Sequence, residues 1–185
     1  MDANGRDEVY SPADMKTLHL LRHAKSSWDD PVLPDRERPL SRRGEKAARR
    51  VASHLARKQT GVDLVLCSSA VRARQTLEIV APAVGRERAV SVEEGLYTAD
   101  AAALLRRLRA IDKEVAAVLL IGHNPAMYDL AVYLAGDGEA GAIEAMSEKF
   151  PTGALATLRT RATWDLLGQG TCYLESFVVP RELPR

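Results

Sequence analysis

Leu18-His19-Leu20-Leu21-Arg22-His23-Ala24-Lys25-Ser26-Ser27 decides how this chain is read. A short apolar run stops abruptly at Arg22-His23 and gives way to small and polar residues. Such a run, in a chain that then turns helical, reads as the first buried strand of a parallel sheet. Ligands of such sheets bind just beyond the carboxyl ends of the strands. Arg22 and His23 are expected there. An imidazole can act as a nucleophile, and a guanidinium holds phosphoryl oxygens in a planar fork. Taken alone, the dipeptide fits a capping arginine and a packed strand-end histidine better than a ligand site.

Two further stretches repeat the pattern. Cys67-Ser68-Ser69-Ala70-Val71-Arg72-Ala73-Arg74-Gln75-Thr76 follows the apolar run from Asp63 to Leu66. Ile121-Gly122-His123-Asn124-Pro125 follows the run from Val115 to Leu120. An Arg-His pair, an Arg and a His thus each follow a predicted strand. Arg72 falls in the first turn of the next helix, where free backbone N–H groups also favour an anion. Arg74, two residues on, points elsewhere around that helix.

These motifs resemble the histidine phosphatase superfamily, and more narrowly its SixA-type phosphohistidine phosphatase branch. The residues that carry the resemblance are Leu21 to Ser26, Arg38-Pro39-Leu40-Ser41 with Gly44, Ser69 to Thr76, Gly122-His123-Asn124-Pro125, and Pro151-Thr152-Gly153-Ala154-Leu155. Five motifs in this order span Met15 to Val179. The resemblance implies a phosphoglycerate mutase-like fold with one antiparallel strand, no metal and no cofactor. It makes His23 the nucleophile, with Arg22, Arg72 and His123 around the phosphoryl group. Glu94, in Val92-Glu93-Glu94-Gly95-Leu96-Tyr97, lies where larger members carry a general acid; Glu93 is one alternative, and the SixA branch implies another, that no carboxylate serves as the acid. Ser26 and Arg38 are further candidates for substrate binding, and Asp35 for shaping the mouth.

The implied reaction is hydrolysis through a phosphohistidine intermediate, with a phosphorylated protein as substrate. Two alternatives stay open: a phosphatase of small phosphorylated metabolites, and an idle phosphate-binding module. The chain has few long irregular stretches to fold over a metabolite, which favours an open site. His23 should present a neutral nitrogen, with its other ring nitrogen donating to a backbone carbonyl. His123 should do best protonated beside a phosphate dianion.

Composition sets the bounds. With 185 residues, 46% of them hydrophobic and 28% charged, the chain suits one soluble α/β domain. A net charge of +1 argues against nucleic acid as a partner. Two cysteines, Cys67 and Cys172, make no disulfide framework and fit a cytoplasmic setting. Cys67 reads as a core residue. No apolar stretch is long enough to span a bilayer. Residues 1–14 lack periodicity and read as a flexible extension to a domain over 15–185.

The order of elements predicts a three-layer α/β/α sandwich around a mostly parallel sheet. Ser41 should cap a helix whose apolar face is Ala47, Ala48, Val51, Ala52 and Leu55, and Gly61 should end it. His54 lies on this helix without a sequence partner. A helix is expected from Ala70 to Ala81, a short strand over Ala89 to Val92, and a helix from Ala99 to Ile111. Asn124 should cap, with Pro125 first in, a largely buried helix running to Gly136 through Leu130, Val132, Tyr133 and Leu134. Gly136 to Phe150 reads as loop, and strands follow from Gly153 to Thr160 and Thr171 to Val179.

Overall fold

A computed structural model describes residues 15–85 and 88–184; the expected extension over residues 1–14 lies outside them. Its centre is a seven-stranded sheet in the order β3-β2-β4-β1-β6-β7-β5. The strands are β1 (Lys16–Arg22), β2 (Leu64–Ser68), β3 (Ala89–Glu93), β4 (Ala117–Gly122), β5 (Ala135–Gly138), β6 (Leu155–Thr160) and β7 (Cys172–Val178). The helices are α1 (Arg42–Arg57), α2 (Val71–Val80), α3 (Ala101–Arg109), α4 (Ala126–Leu134) and α5 (Ala140–Glu148). Only β6 runs against the rest, pairing antiparallel with both β1 and β7.

Strand parity builds the three layers. Leu18 and Leu20 of β1, Leu66 of β2, and Val118 and Leu120 of β4 face a core completed by Leu104 and Leu108 of α3 and Met127, Leu130 and Leu134 of α4. The alternate residues Leu21, Val65, Cys67, Leu119 and Ile121 pack on Val51 and Leu55 of α1 and Ala73, Leu77 and Val80 of α2. Central strands buried on both faces become near-continuous apolar runs, the signal visible in the sequence. Leu120 is fully buried; truncating such a side chain to Ala costs about 2–5 kcal/mol.

Local chemistry sets the helix ends. Ser41 caps α1, its Oγ accepting from Gly44 N at 3.1 Å. Gly44 lets α1 approach the strand end, because a Cβ there would lie 2.0 Å from the Lys25 carbonyl oxygen. Four elements differ from the sequence reading. α1 ends at Arg57, and Gln59, not Gly61, takes the left-handed conformation, at φ 50°. Pro125 stands at the cap position of α4, and Asn124 donates instead to the Phe150 carbonyl. Val132 and Tyr133 of α4 are exposed, so that helix buries one face rather than most of its surface. Gly136 to Phe150 is not a loop: it holds the end of β5 and all of α5, which buries Met146.

Candidate active site

The three strands that carry the motifs are consecutive in the sheet: β2, β4, β1. Arg22 stands opposite Gly122, and Cys67 opposite Ile121. The residues just past each strand therefore meet at one edge, although they lie far apart in sequence. His23 and His123 come together with ring centroids 4.9 Å apart. Because β6 is antiparallel, its start reaches the same edge. Gly153, at φ +79°, donates its N–H to the carbonyls of Arg22 and His23. A side chain at that φ would be strained.

His23 is buried, and its tautomer is fixed from both sides. Nδ1 lies 2.7 Å from the Ala24 carbonyl oxygen and must donate to it. Nε2 is left as an acceptor and takes a 3.3 Å hydrogen bond from Arg72 Nε. Burial pushes the His23 pKa down to about 3, and His123, Arg72 and Arg22 act in the same direction against the Ala24 bond. The ring is neutral at physiological pH, with the lone pair of Nε2 facing Arg72.

Arg72 organises that side. It sits in the first turn of α2 and is 7% exposed. Its Nη1 donates to the Asp35 carbonyl at 2.5 Å and its Nη2 to Asp35 Oδ2 at 2.9 Å. Nη2 also lies 3.4 Å from His123 Nδ1. His123 then donates from Nε2 to Ser68 Oγ, 2.7 Å away. Burial, followed by the Arg72 charge, lowers the His123 pKa to about 4. Without an anion this histidine is neutral, whereas a phosphate dianion beside it would raise its pKa. Tyr97 stands edge-on to the His123 ring at 5.6 Å and donates its hydroxyl to Asp35 Oδ2 at 2.9 Å.

Arg22 faces the other wall. Its Nη1 donates to the Phe150 carbonyl at 2.8 Å, and its buried Nε has no partner. Asn124 Nδ2 reaches the same carbonyl at 3.1 Å. Thr76 ties the two walls together, accepting from Ala24 N and donating to the Arg72 carbonyl.

The predicted residues separate into two groups. Arg22, His23, Arg72 and His123 are brought together. Glu94 is exposed and ion-paired with Arg36, whose guanidinium also reaches Ser69 Oγ. Glu93 is clasped by Arg107 through three contacts of 2.8–3.0 Å. These hydrogen bonds lower both carboxyl pKa values, for Glu93 against the opposing effect of burial. Neither carboxylate bonds to His23, Arg72 or His123. Asp35 is the carboxylate that does reach Arg72. Partial burial works to raise its pKa, but hydrogen bonds from Tyr97 and Arg72 outweigh it and hold it low. Ser26 forms a backbone bridge to Leu40, and Arg38 stacks on Trp28 with its guanidinium carbon 3.3 Å from the ring centroid. Arg74 is exposed. Cys67 is buried, with its pKa pushed up to about 12, as fits a packed thiol.

Sequence reasoning assigned no role to Ser68 or Tyr97. Ser68 ends β2 beside the His123 strand, and that adjacency was its available signal. Nothing local in the sequence points Tyr97 at Asp35, 62 residues away. Among the described residues no cluster of three or more His, Cys, Asp or Glu could hold a metal ion. No helix there is long and apolar enough to cross a membrane.

Known proteins resemble this chain in sequence and in fold. The uncharacterized protein Rv1276c of Mycobacterium tuberculosis is 38% identical over 166 residues, covering 87% of this chain and all of the relative. The structure of a proposed phosphohistidine phosphatase SixA from Agrobacterium tumefaciens superposes with a TM-score of 0.76 at 31% identity, covering 89% of this chain and 98% of that one. The protein histidine phosphatase SixA in complex with tungstate matches with a TM-score of 0.71 at 25% identity, covering 89% and 97%. The sandwich is thus the phosphoglycerate mutase-like fold of these neighbours. A family model matches residues 18–126, and the chain belongs to the histidine phosphatase superfamily (branch 1).

Proposed function

We propose that the protein is a metal-independent phosphohistidine phosphatase that works through a phosphorylated His23. The observation that carries this reading is the fixed tautomer of His23: Nδ1 donates to Ala24 and Nε2 is left as a buried, neutral nucleophile. In the first step the Nε2 lone pair attacks phosphorus. The bond from phosphorus to the substrate nitrogen breaks, and the leaving imidazole takes a proton from solvent. In the second step water attacks the phosphoryl group, the bond from phosphorus to Nε2 breaks, and the water proton passes to solvent.

In the transition state the negative charge is spread over the three equatorial oxygens of the transferring group. Arg22 and Arg72 meet it with N–H donors. His123 adds a third cation once the phosphoryl group has raised its pKa. Asp35 acts through Arg72, holding the guanidinium by two of its N–H groups. With Glu93 and Glu94 engaged elsewhere, no carboxylate among the described residues is poised as a strong acid. A P–N bond needs less protonic help than an alkyl ester. The proteins named as SixA support the choice of phosphohistidine, and the tungstate complex supports binding of a tetrahedral oxyanion.

Rapid acid quench with a labelled phosphohistidine peptide, in EDTA, tests the reading. An acid-labile phosphoenzyme on His23 is expected, and His23→Ala should abolish both label and turnover. Label on another residue, or near-normal kcat in His23→Ala, would overturn it.

A further inference from the structure

On the far side of the β1 end from Arg72 lies a second concavity. It is a cleft of about 500 Å³ between α1, the end of α5 and the end of β7. Lys25, Arg43, Lys46, Arg50 and Lys149 line it, together with Arg181. Arg50 donates to the Pro180 carbonyl and Arg181 pairs with Glu182. Lys25, Arg43, Lys46 and Lys149 make no ion pair among the described residues, and all four are exposed. For a chain with a net charge of +1, this is a strong local concentration of unmatched positive charge.

Two segments of the chain run from the lining of the cleft to the candidate active site. Lys25 follows His23 by two residues. Lys149, Pro151 and Thr152 flank Phe150, whose carbonyl holds Arg22. We infer that this cleft binds an acidic stretch of the phosphorylated protein substrate, next to the phosphoryl group that enters the site. The cleft takes its direction from the phosphatase reading, but its ligand chemistry does not depend on it.

The walls favour a polypeptide over a compact polyphosphate. Arg43 and Arg50 on α1 are seven positions apart, about 10 Å of helix. Cations spread over that length suit an extended chain. A polyphosphate calls for convergent forks free of carboxylates, yet Glu148 and Glu182 also line this cleft. Its floor is apolar, with Phe177, Val179 and Pro180. Mixed walls over an apolar floor match a peptide that carries both acidic and apolar side chains. The lysines and Arg43, held by nothing else, can adapt to it at little cost in broken contacts.

Binding of a fluorescent, unphosphorylated peptide of alternating Glu and Leu to the full-length protein tests this without any turnover. Saturable binding that weakens with added salt is expected. Lys46→Glu with Lys149→Glu should weaken it by about ten-fold or more, a loss of roughly 1.4 kcal/mol. Arg106→Glu, an exposed reversal on α3, should change it less than about two-fold. Circular dichroism of each variant confirms the fold. Equal losses from cleft and α3 reversals would overturn the inference, as would absence of saturable binding by wild type. Tight tripolyphosphate binding that depends on Lys46 and Lys149, without peptide binding, would overturn it in favour of a small polyanion. Failure of His23 phosphorylation would sink the catalytic reading and leave this measurement standing.

Discussion

Two groups of cations flank the end of β1, and they are held in opposite ways. Arg72 is buried and spends its N–H groups on His23, His123 and Asp35. Lys25, Arg43, Lys46 and Lys149 are exposed, and their charged groups make no ion pair among the described residues. The difference separates two tasks. A group that must meet developing charge gains from being fixed beforehand, because nothing then reorganises during reaction. A group that only attracts an extended anion gains little from fixation. The same residue class therefore reads as catalytic apparatus on one side and as adaptable surface on the other.

The sharpest break in this comparison comes from exchanging one cation for another. Arg72→Lys keeps the charge and loses the fork. Its kcat on a phosphohistidine peptide should fall about 10²–10³-fold, the usual cost of a transition-state donor. Lys46→Arg, the reverse exchange in the cleft, should change peptide affinity less than about two-fold. Equal sensitivity on the two sides, measured by steady-state kinetics and anisotropy, would erase the distinction.

The next effect is on stability. His19, His23 and His123 have pKa values of about 4, 3 and 4, all below the ordinary 6.5. The unfolded chain therefore binds more protons than the folded one between pH 6.5 and about 3, so stability is full above that window and falls as pH falls through it. For His19, buried against Thr157, the loss between pH 7 and pH 5 should be on the order of 2 kcal/mol. Denaturant titrations at both pH values check this, and His19→Gln should flatten the slope.

Anion binding should carry the opposite pH signature. A dianion raises the His123 pKa, so binding takes up a proton. Sulfate keeps its charge over this range, and its affinity should rise as pH falls from 8 to 5, by at most about ten-fold per unit. Calorimetry in buffers of different ionisation enthalpy counts the protons. Flat affinity would remove His123 from the anion site.

The smallest effect is expected at Glu94. With its carboxylate on Arg36 and exposed, Glu94→Gln should leave kcat/KM on phosphohistidine within about three-fold, far below a general-acid term of roughly 10²–10⁴. A loss of that larger size would restore Glu94 as the proton donor and favour an ester substrate.

The pattern of what was legible follows from range. Arg22, His23, Arg72 and His123 were visible because each follows an apolar run, and runs buried on both faces are local signals. Their convergence needed only the neighbour order β2-β4-β1. That one strand runs antiparallel was implied by the family resemblance and not by periodicity, and neither identified it as β6. Helix α5 was hidden because Gly136, Gly138, Gly141 and scattered acids mask its spacing of Ala142, Ile143 and Met146. The end of α1 was misplaced because Gln59 takes the conformation that usually selects glycine. The Asp35 bonds to Arg72 and Tyr97 were out of reach for a different reason. Loop Trp28 to Pro39 has no periodicity, and its course is set by what it packs against.

The carbonyl of Phe150 has a practical consequence for anyone dissecting this enzyme. Arg22 and Asn124 both donate to it, so one acceptor oxygen joins the ends of β1 and β4 to the segment after α5. Removing Arg22 alone would report two losses as one: a phosphoryl ligand and a mooring of the Phe150 segment. A double-mutant cycle with Asn124→Ala separates them. Non-additivity in folding stability measures the shared mooring, and the remainder of the kinetic loss belongs to the anion.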